Sequence, residues 1–251
     1  MNIFITGGTT GIGHELACLY LEKGYRVGIT GRDLKKLPPQ TAEKYPKLET
    51  FEVDVTDEEN MTLAVQDFSR AGALDIIIAN AGISDWSKPA TPNFSQGKKI
   101  IQTNVLGVLN TFAPAIDIFL KEGKGQLVAI SSVAAFSGIP GSSFYCASKS
   151  AVFRLCESLT IDLKPKNIAV TTICPGFIKT PLTDKNAHGM PFIIEADVAA
   201  LKIAKAIEKK KALLLFPWQM AIVITFLNKI PRSLYRYIMT LPFMNYSKEP
   251  S

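Results

Sequence analysis

Tyr145 and Lys149 stand four residues apart in Tyr145-Cys-Ala-Ser-Lys149, and Ser132, the second of a serine pair, lies thirteen residues upstream of the tyrosine. A phenol and an ammonium at this spacing share one face of a helix and lie within mutual reach. The ammonium favours the phenolate, so it is expected to pull the tyrosine pKa down towards a working pH. A tyrosine tuned in this way can protonate an alkoxide or deprotonate an alcohol. Taken alone, the spacing is equally that of two surface residues. The elements around it have to decide.

The helix expected over residues 143–164 carries Val152, Leu155, Cys156, Leu159 and Leu163 on nearly the same side, which turns that face inward. Upstream, Ile3-Phe4-Ile5 is a short apolar strand followed by Thr6-Gly-Gly-Thr-Thr-Gly-Ile-Gly13. A helical pattern through Leu16, Ala17, Leu19 and Tyr20 comes next, closed by Gly24, and residues 26–30 read as a second strand. A glycine-rich turn between a first strand and a helix is built to hold an anion, because backbone N–H groups and the helix's positive end converge there.

The alternation continues. Strands are expected at 48–53, 74–79, 126–130, 168–173 and 212–216, with helices over 56–71, 100–116, 143–164 and 195–209. Repeated β-α-β units predict an α/β fold, a doubly wound parallel sheet of the Rossmann type in three α/β/α layers. Ligands of such sheets bind outside the carboxyl ends of the strands. Asp54, Asn80-Ala81-Gly82, Ser131-Ser132 and Cys174-Pro175-Gly176 each follow a strand, and Tyr145 and Lys149 sit on the helix after one.

The chain has 251 residues, 47% hydrophobic and 20% charged, which suits one domain over residues 1–251: a core of 1–216 and an apolar, basic helical extension of 217–251. The formal net charge of +6 is compatible with a phosphorylated cofactor or an anionic membrane face. No Lys/Arg run interleaved with aromatics resembles a nucleic-acid footprint, so no nucleic-acid partner is expected. Cys18, Cys146, Cys156 and Cys174 show no C-x-x-C spacing and read as reduced thiols of a cytoplasmic protein. His14 and His188 are too few and isolated for a metal site, and none is expected. A strand is expected to begin at once at Met1-Asn-Ile-Phe-Ile-Thr6, with no charged leader or cleavage site, so no signal peptide is expected. The apolar run at 212–227, about sixteen residues broken by Pro217 and Gln219, falls short of the roughly 20 that a spanning helix needs.

Thr6-Gly-x-x-x-Gly-x-Gly13, Asn80-Ala-Gly82, Asn104, Ser132, Tyr145-x-x-x-Lys149 and Pro175-Gly176, in this order and spacing, resemble the short-chain dehydrogenase/reductase family over residues 1–183. The resemblance implies an oxidoreductase that moves a hydride between a nicotinamide cofactor and a carbonyl or secondary alcohol. It implies Tyr145 as acid/base, Lys149 as its pKa-lowering partner, Ser132 as donor to the substrate oxygen, and Asn104 as holder of a water on a proton path to Lys149. Ser131 is the rival to Ser132. The cofactor would lie along Gly7, Thr9, Thr10, Gly11, Ile12, Gly13, Asp54, Val55, Asn80, Ala81, Gly82, Pro175, Gly176 and Thr180, together with Tyr145 and Lys149.

An acidic residue ending the second strand would select NAD(H). Here Gly31 stands at that position and Arg32 follows, offering a fork for a 2′-phosphate, so NADP(H) is expected over NAD(H). The substrate is expected to be a hydrophobic carbonyl or alcohol compound, since Val133, Ala134, Phe136, Phe177, residues 182–194, Trp86 and Trp218 are the candidate pocket residues. Residues 183–191 are expected to form a lid.

The family's tetramers end in a glycine-rich segment and a short strand, which this chain lacks, so a homodimer is expected instead. The run from Pro217 to Pro231 is expected to be helical, with Trp218, Ile222, Thr225, Phe226 and Lys229 on one side but apolar nearly all round, and such a helix wants burial on more than one side. The tail could cover the active site, build a dimer, or place the protein peripherally on the inner face of a membrane as a lipid-carbonyl reductase. A catalytically silent nucleotide sensor on the same fold is the alternative from another class.

Overall fold

Strand-forming segments are short, apolar and bounded by turn residues, and they become β1 (Asn2–Thr6), β2 (Arg26–Gly31), β3 (Leu48–Glu52), β4 (Ile76–Ala79), β5 (Gly125–Ile130), β6 (Ile168–Pro175), β7 (Ile178–Lys179), β8 (Ile194–Glu195) and β9 (Leu213–Phe216). The computed structural model describes residues 1–84, 91–184 and 189–241. The helices are α1 (Gly11–Glu22), α2 (Pro39–Lys44), α3 (Glu58–Arg70), α4 (Phe94–Ile101), α5 (Gly107–Glu122), α6 (Ser143–Asp162), α7 (Ala196–Glu208), α8 (Trp218–Lys229) and α9 (Arg232–Thr240). Seven strands form one sheet in the order β3-β2-β1-β4-β5-β6-β9, every pairing parallel. This is the doubly wound α/β architecture, with the chain reversing direction across the sheet between β1 and β4.

Both faces of the sheet are covered, so its central strands carry continuous apolar runs, such as Ile3–Ile5, Ile76–Ala79 and Leu127–Ile130, rather than strict alternation. In β1, Ile3 and Ile5 point to the layer that holds Leu16, Ala17 and Tyr20 of α1 and Ile203 and Ile207 of α7. Phe4 points to the opposite layer, with Phe68 of α3, Phe112 and Phe119 of α5 and Val152 of α6. Period-two alternation thus feeds two separate cores from one strand.

The helix expected over 100–116 is longer and not uniform. Phe94–Ile101 and Gly107–Glu122 are joined by a π-helical turn, Gln102–Leu106, centred on Asn104. A π turn inserts a residue into the helical ladder and re-aims the side chains around it. Residues 94–122 are long and apolar enough to cross a membrane by length and composition. In the fold Val108, Phe112, Ala115 and Phe119 bury that length against the sheet.

After β9 the tail turns back over the segment following β5. Tyr235 and Met239 of α9 are buried, and the Tyr235 hydroxyl donates to the Gly138 carbonyl at 2.6 Å. In α8, Ile224 alone is fully buried. Within the single chain its outward side is left uncovered: Trp218, Ile222 and Phe226 are 69%, 60% and 63% exposed.

Candidate active site

The glycine-rich turn is held open by its neighbour across the sheet. Asn80, at the end of β4, donates both Nδ2 hydrogens to the Thr6 and Gly7 carbonyls at 3.0 Å. The Thr6 hydroxyl accepts from the Asn80 and Ala81 amides at 3.1 and 3.2 Å. Gly7 and Gly11 take φ of +65° and +58°, which side chains rarely adopt. A Cβ on Gly13 would run into the Gly7 carbonyl oxygen and Asn80 Nδ2. At the start of α1, Thr10 supplies no side-chain cap and no acid occupies the first turn, so the N-terminal amides stay open to the cleft.

At the end of β5, the paired serines divide their work. Ser131 Oγ, buried, donates to the Lys149 carbonyl at 2.9 Å and so ties α6 to the strand. Ser132 Oγ accepts the Ala134 amide at 3.1 Å and also hydrogen-bonds with the Tyr145 phenol. Of the two, Ser132 is the one that meets Tyr145. Lys149 is buried and its Nζ donates to the Ile130 carbonyl at 2.9 Å, with the Tyr145 ring centroid 5.7 Å away.

The expected fall in the tyrosine pKa is absent from this geometry. Burial pushes Tyr145 up to about 12, against a smaller lowering by the Ser132 hydrogen bond. Burial likewise pushes Lys149 down to about 8. The reason is that the ammonium is bonded to a backbone carbonyl and not to the phenol, so desolvation dominates both groups.

Asn104 is fully buried and all but saturated. Its Oδ1 accepts the Ile83 amide at 2.8 Å, and its Nδ2 donates to the Ile83 carbonyl at 2.9 Å and to Ser148 Oγ at 3.0 Å. The amide therefore clamps the turn after β4 to α6. A Cβ on Gly82 would lie 3.3 Å from Asn104 Oδ1 and 3.4 Å from Lys149 Nζ, so these three residues meet at one point.

One cleft along the carboxyl ends of the strands is lined by Gly7, Thr9, Thr10, Gly11, Ile12, Arg32, Asp54, Val55, Asn80, Ala81, Gly82, Ser132, Tyr145, Lys149, Pro175, Gly176 and Thr180. Gly13 and Asn104 stand one layer behind it. Ile83, Thr103, Ile178 and Leu182 join the lining, as does Lys36, a second cation near Arg32 that sequence reasoning missed. Its signal was its place one short turn beyond the second strand. Val133 and Ala134 are buried, and Phe136 packs on Phe153 at a centroid distance of 4.8 Å. Trp218 is exposed and borders a different hollow. Trp86 and part of the expected lid at 183–191 lie outside the described residues.

The sequence profile described as short chain dehydrogenase matches residues 1–191. The chain belongs to the short-chain dehydrogenase family. Among its relatives, an uncharacterized oxidoreductase of Myxococcus xanthus is 33% identical over 235 residues, covering 92% of this chain and 93% of that one. A 3-oxoacyl-acyl-carrier-protein reductase, FabG of Rickettsia conorii, is 32% identical over 181 residues, 72% of this chain and 74% of its own. Among solved structures, ElxO with NADP bound superposes with a TM-score of 0.77 at 28% identity, over 85% of this chain and 95% of its own. The protein is thus an oxidoreductase of this family.

A nicotinamide dinucleotide, the cofactor this family implies, fits the cleft. The open amides of α1 and the crowded contact at Gly13 leave backbone where a pyrophosphate would lie. At the end of β2, a Cβ on Gly31 would come within 2.5 Å of Thr9 Cγ2, so an acidic residue there would require the Thr9 side chain to turn away. Asp33, the acid that does follow, turns its carboxylate to the Lys35 amide at 3.1 Å. Arg32 is largely exposed, its Nε 3.9 Å from Asp54 Oδ2.

Proposed function

We propose that this family member is an NADP(H)-dependent reductase of hydrophobic carbonyl compounds, reversible as an alcohol dehydrogenase. The observation that carries the reading is the convergence of Ser132, Tyr145 and Lys149 at the mouth of a cleft that a glycine-rich turn opens. Bound NADPH supplies the hydride. The Ser132 hydroxyl donates to the substrate oxygen and holds it beside the Tyr145 hydroxyl. Tyr145, protonated over the whole neutral range, gives its proton to that oxygen as negative charge develops on it. Lys149, charged below about pH 8, stabilises the phenolate left behind. Asn104 acts as a positioning residue: by gripping Ile83 and Ser148 it fixes the distance between the turn after β4 and α6.

The cofactor preference rests on Arg32 and Lys36 at the mouth of the cleft, on Gly31 in place of an acid, and on the NADP bound by ElxO. The apolar lining at Ile83, Ile178 and Leu182 supports a hydrophobic substrate, as does the similarity to a 3-oxoacyl reductase. Following NADPH absorbance against ketones, aldehydes, quinones and long-chain 3-oxoacyl thioesters tests the reading. Oxidation with at least one apolar carbonyl is expected. NADPH binding without turnover on the whole panel would return the protein to the class of nucleotide sensors.

A further inference from the structure

Two features of the tail have no part in the cleft. The outward side of α8 presents Trp218, Ile222 and Phe226 at helical spacing, each more than half exposed. Beside Trp218 lies a surface hollow of about 570 Å³, rimmed by Lys202, Lys205, Lys209 and Lys211. Residues 196–241 contain eight Lys/Arg and two Asp/Glu, so this segment carries the whole formal net charge of +6. The rest of the chain is balanced.

We infer that the outer face of α7 and α8 seats on an anionic phospholipid surface. Exposed apolar patches of this kind mark sites of association, and charge narrows the occupant. A twofold dimer would lay this patch on its own copy, setting lysines of one sign against each other. An anionic leaflet meets the same lysines with opposite charge, each contributing at close range. The apolar side chains protrude instead of lining a groove, which suits insertion at the depth of lipid headgroups, where tryptophan is favoured. The face adjoins the cleft: a Cβ on Gly176, which lines it, would lie 3.1 Å from Pro217 and 3.2 Å from Met220 of the α8 entry. The inference rests on the surface and not on the proposed chemistry.

Co-sedimentation of the intact protein with phosphatidylcholine vesicles, with and without phosphatidylglycerol, tests it. Pelleting only with phosphatidylglycerol is expected, with release at about 1 M salt, where the Debye length is about 3 Å. The double variant Ile222→Ser/Phe226→Ser should bind these vesicles at least ~10-fold more weakly, and Lys202→Gln/Lys205→Gln should weaken binding by a similar factor. Unchanged NADPH binding by each variant serves as the control for folding. No pelleting, or equal pelleting with both vesicle types, would overturn the proposal. A concentration-dependent dimer that the serine variant dissociates, in protein that ignores vesicles, would overturn it in favour of a second copy.

Discussion

Lys149 Nζ and the Ile130 carbonyl lie 2.9 Å apart, joining the middle of α6 to the last residue of β5. Together with the Ser131–Lys149 bond this laces the helix bearing Tyr145 to the strand that delivers Ser132. The lacing buries the ammonium, and burial pushes its pKa down to about 8.

A first prediction concerns pH. In the reductive direction kcat/KM should hold steady below about pH 8 and fall above it, as Lys149 loses its charge. Stability moves the other way. Between about 8 and the ordinary 10.5 the unfolded chain holds a proton on this lysine that the native state has lost, so this group's contribution to stability rises with pH. Cys156 and Cys174, both pushed up to about 12 by burial, act in the opposite sense above their ordinary 9.0. The comparison of wild type with Lys149→Met isolates the lysine. Urea unfolding across this range should show wild type gaining stability relative to the variant by on the order of a few kcal/mol. A constant difference would contradict the assignment.

Asn104→Ala removes three hydrogen bonds from a fully buried site and leaves the Ile83 amide and carbonyl unpartnered. A loss of about 3 kcal/mol in unfolding free energy is expected, with kcat falling more than NADPH affinity. Urea denaturation and NADPH titration measure the two effects separately.

Tyr235→Phe keeps the buried ring of α9 and deletes only its bond to the Gly138 carbonyl, 97 residues away. A stability loss of about 1 kcal/mol is expected. Because residues 137–138 belong to the segment between Ser132 and Tyr145, KM for the carbonyl substrate should rise while the Kd for NADPH stays unchanged.

Arg32→Gln should raise KM for NADPH about tenfold or more, the scale of one charge-assisted contact to a phosphate, and leave KM for NADH nearly unaltered. Steady-state kinetics with both cofactors decide it. An equal change for both would mean that Arg32 serves only its pairing with Asp54.

Much of this was legible in sequence because the carriers are local. The four-residue spacing of Tyr145 and Lys149, the glycine turn before α1 and the apolar runs of β1 and β4 each announce themselves within one element. The elements that were not anticipated depend on distant partners. β7 and β8 are two residues each, with no periodicity of their own, and exist because Ile178 meets Ile194 across the chain. The π turn at Asn104 reflects hydrogen bonds to Ile83 and Ser148, which spacing along the helix does not reveal. The direction of the tyrosine shift is hidden from the sequence for a similar reason. Proximity of Lys149 was readable, but its bond to Ile130 was not.

The central claim is that Tyr145 delivers the proton. The most direct measurement is NADPH oxidation by Tyr145→Phe with the best carbonyl substrate, alongside NADPH affinity. The account predicts a rate lowered at least ~1000-fold, about 4 kcal/mol of barrier, with NADPH affinity near wild type. A variant retaining more than about a tenth of the wild-type rate, a loss under about 1.4 kcal/mol, would contradict it.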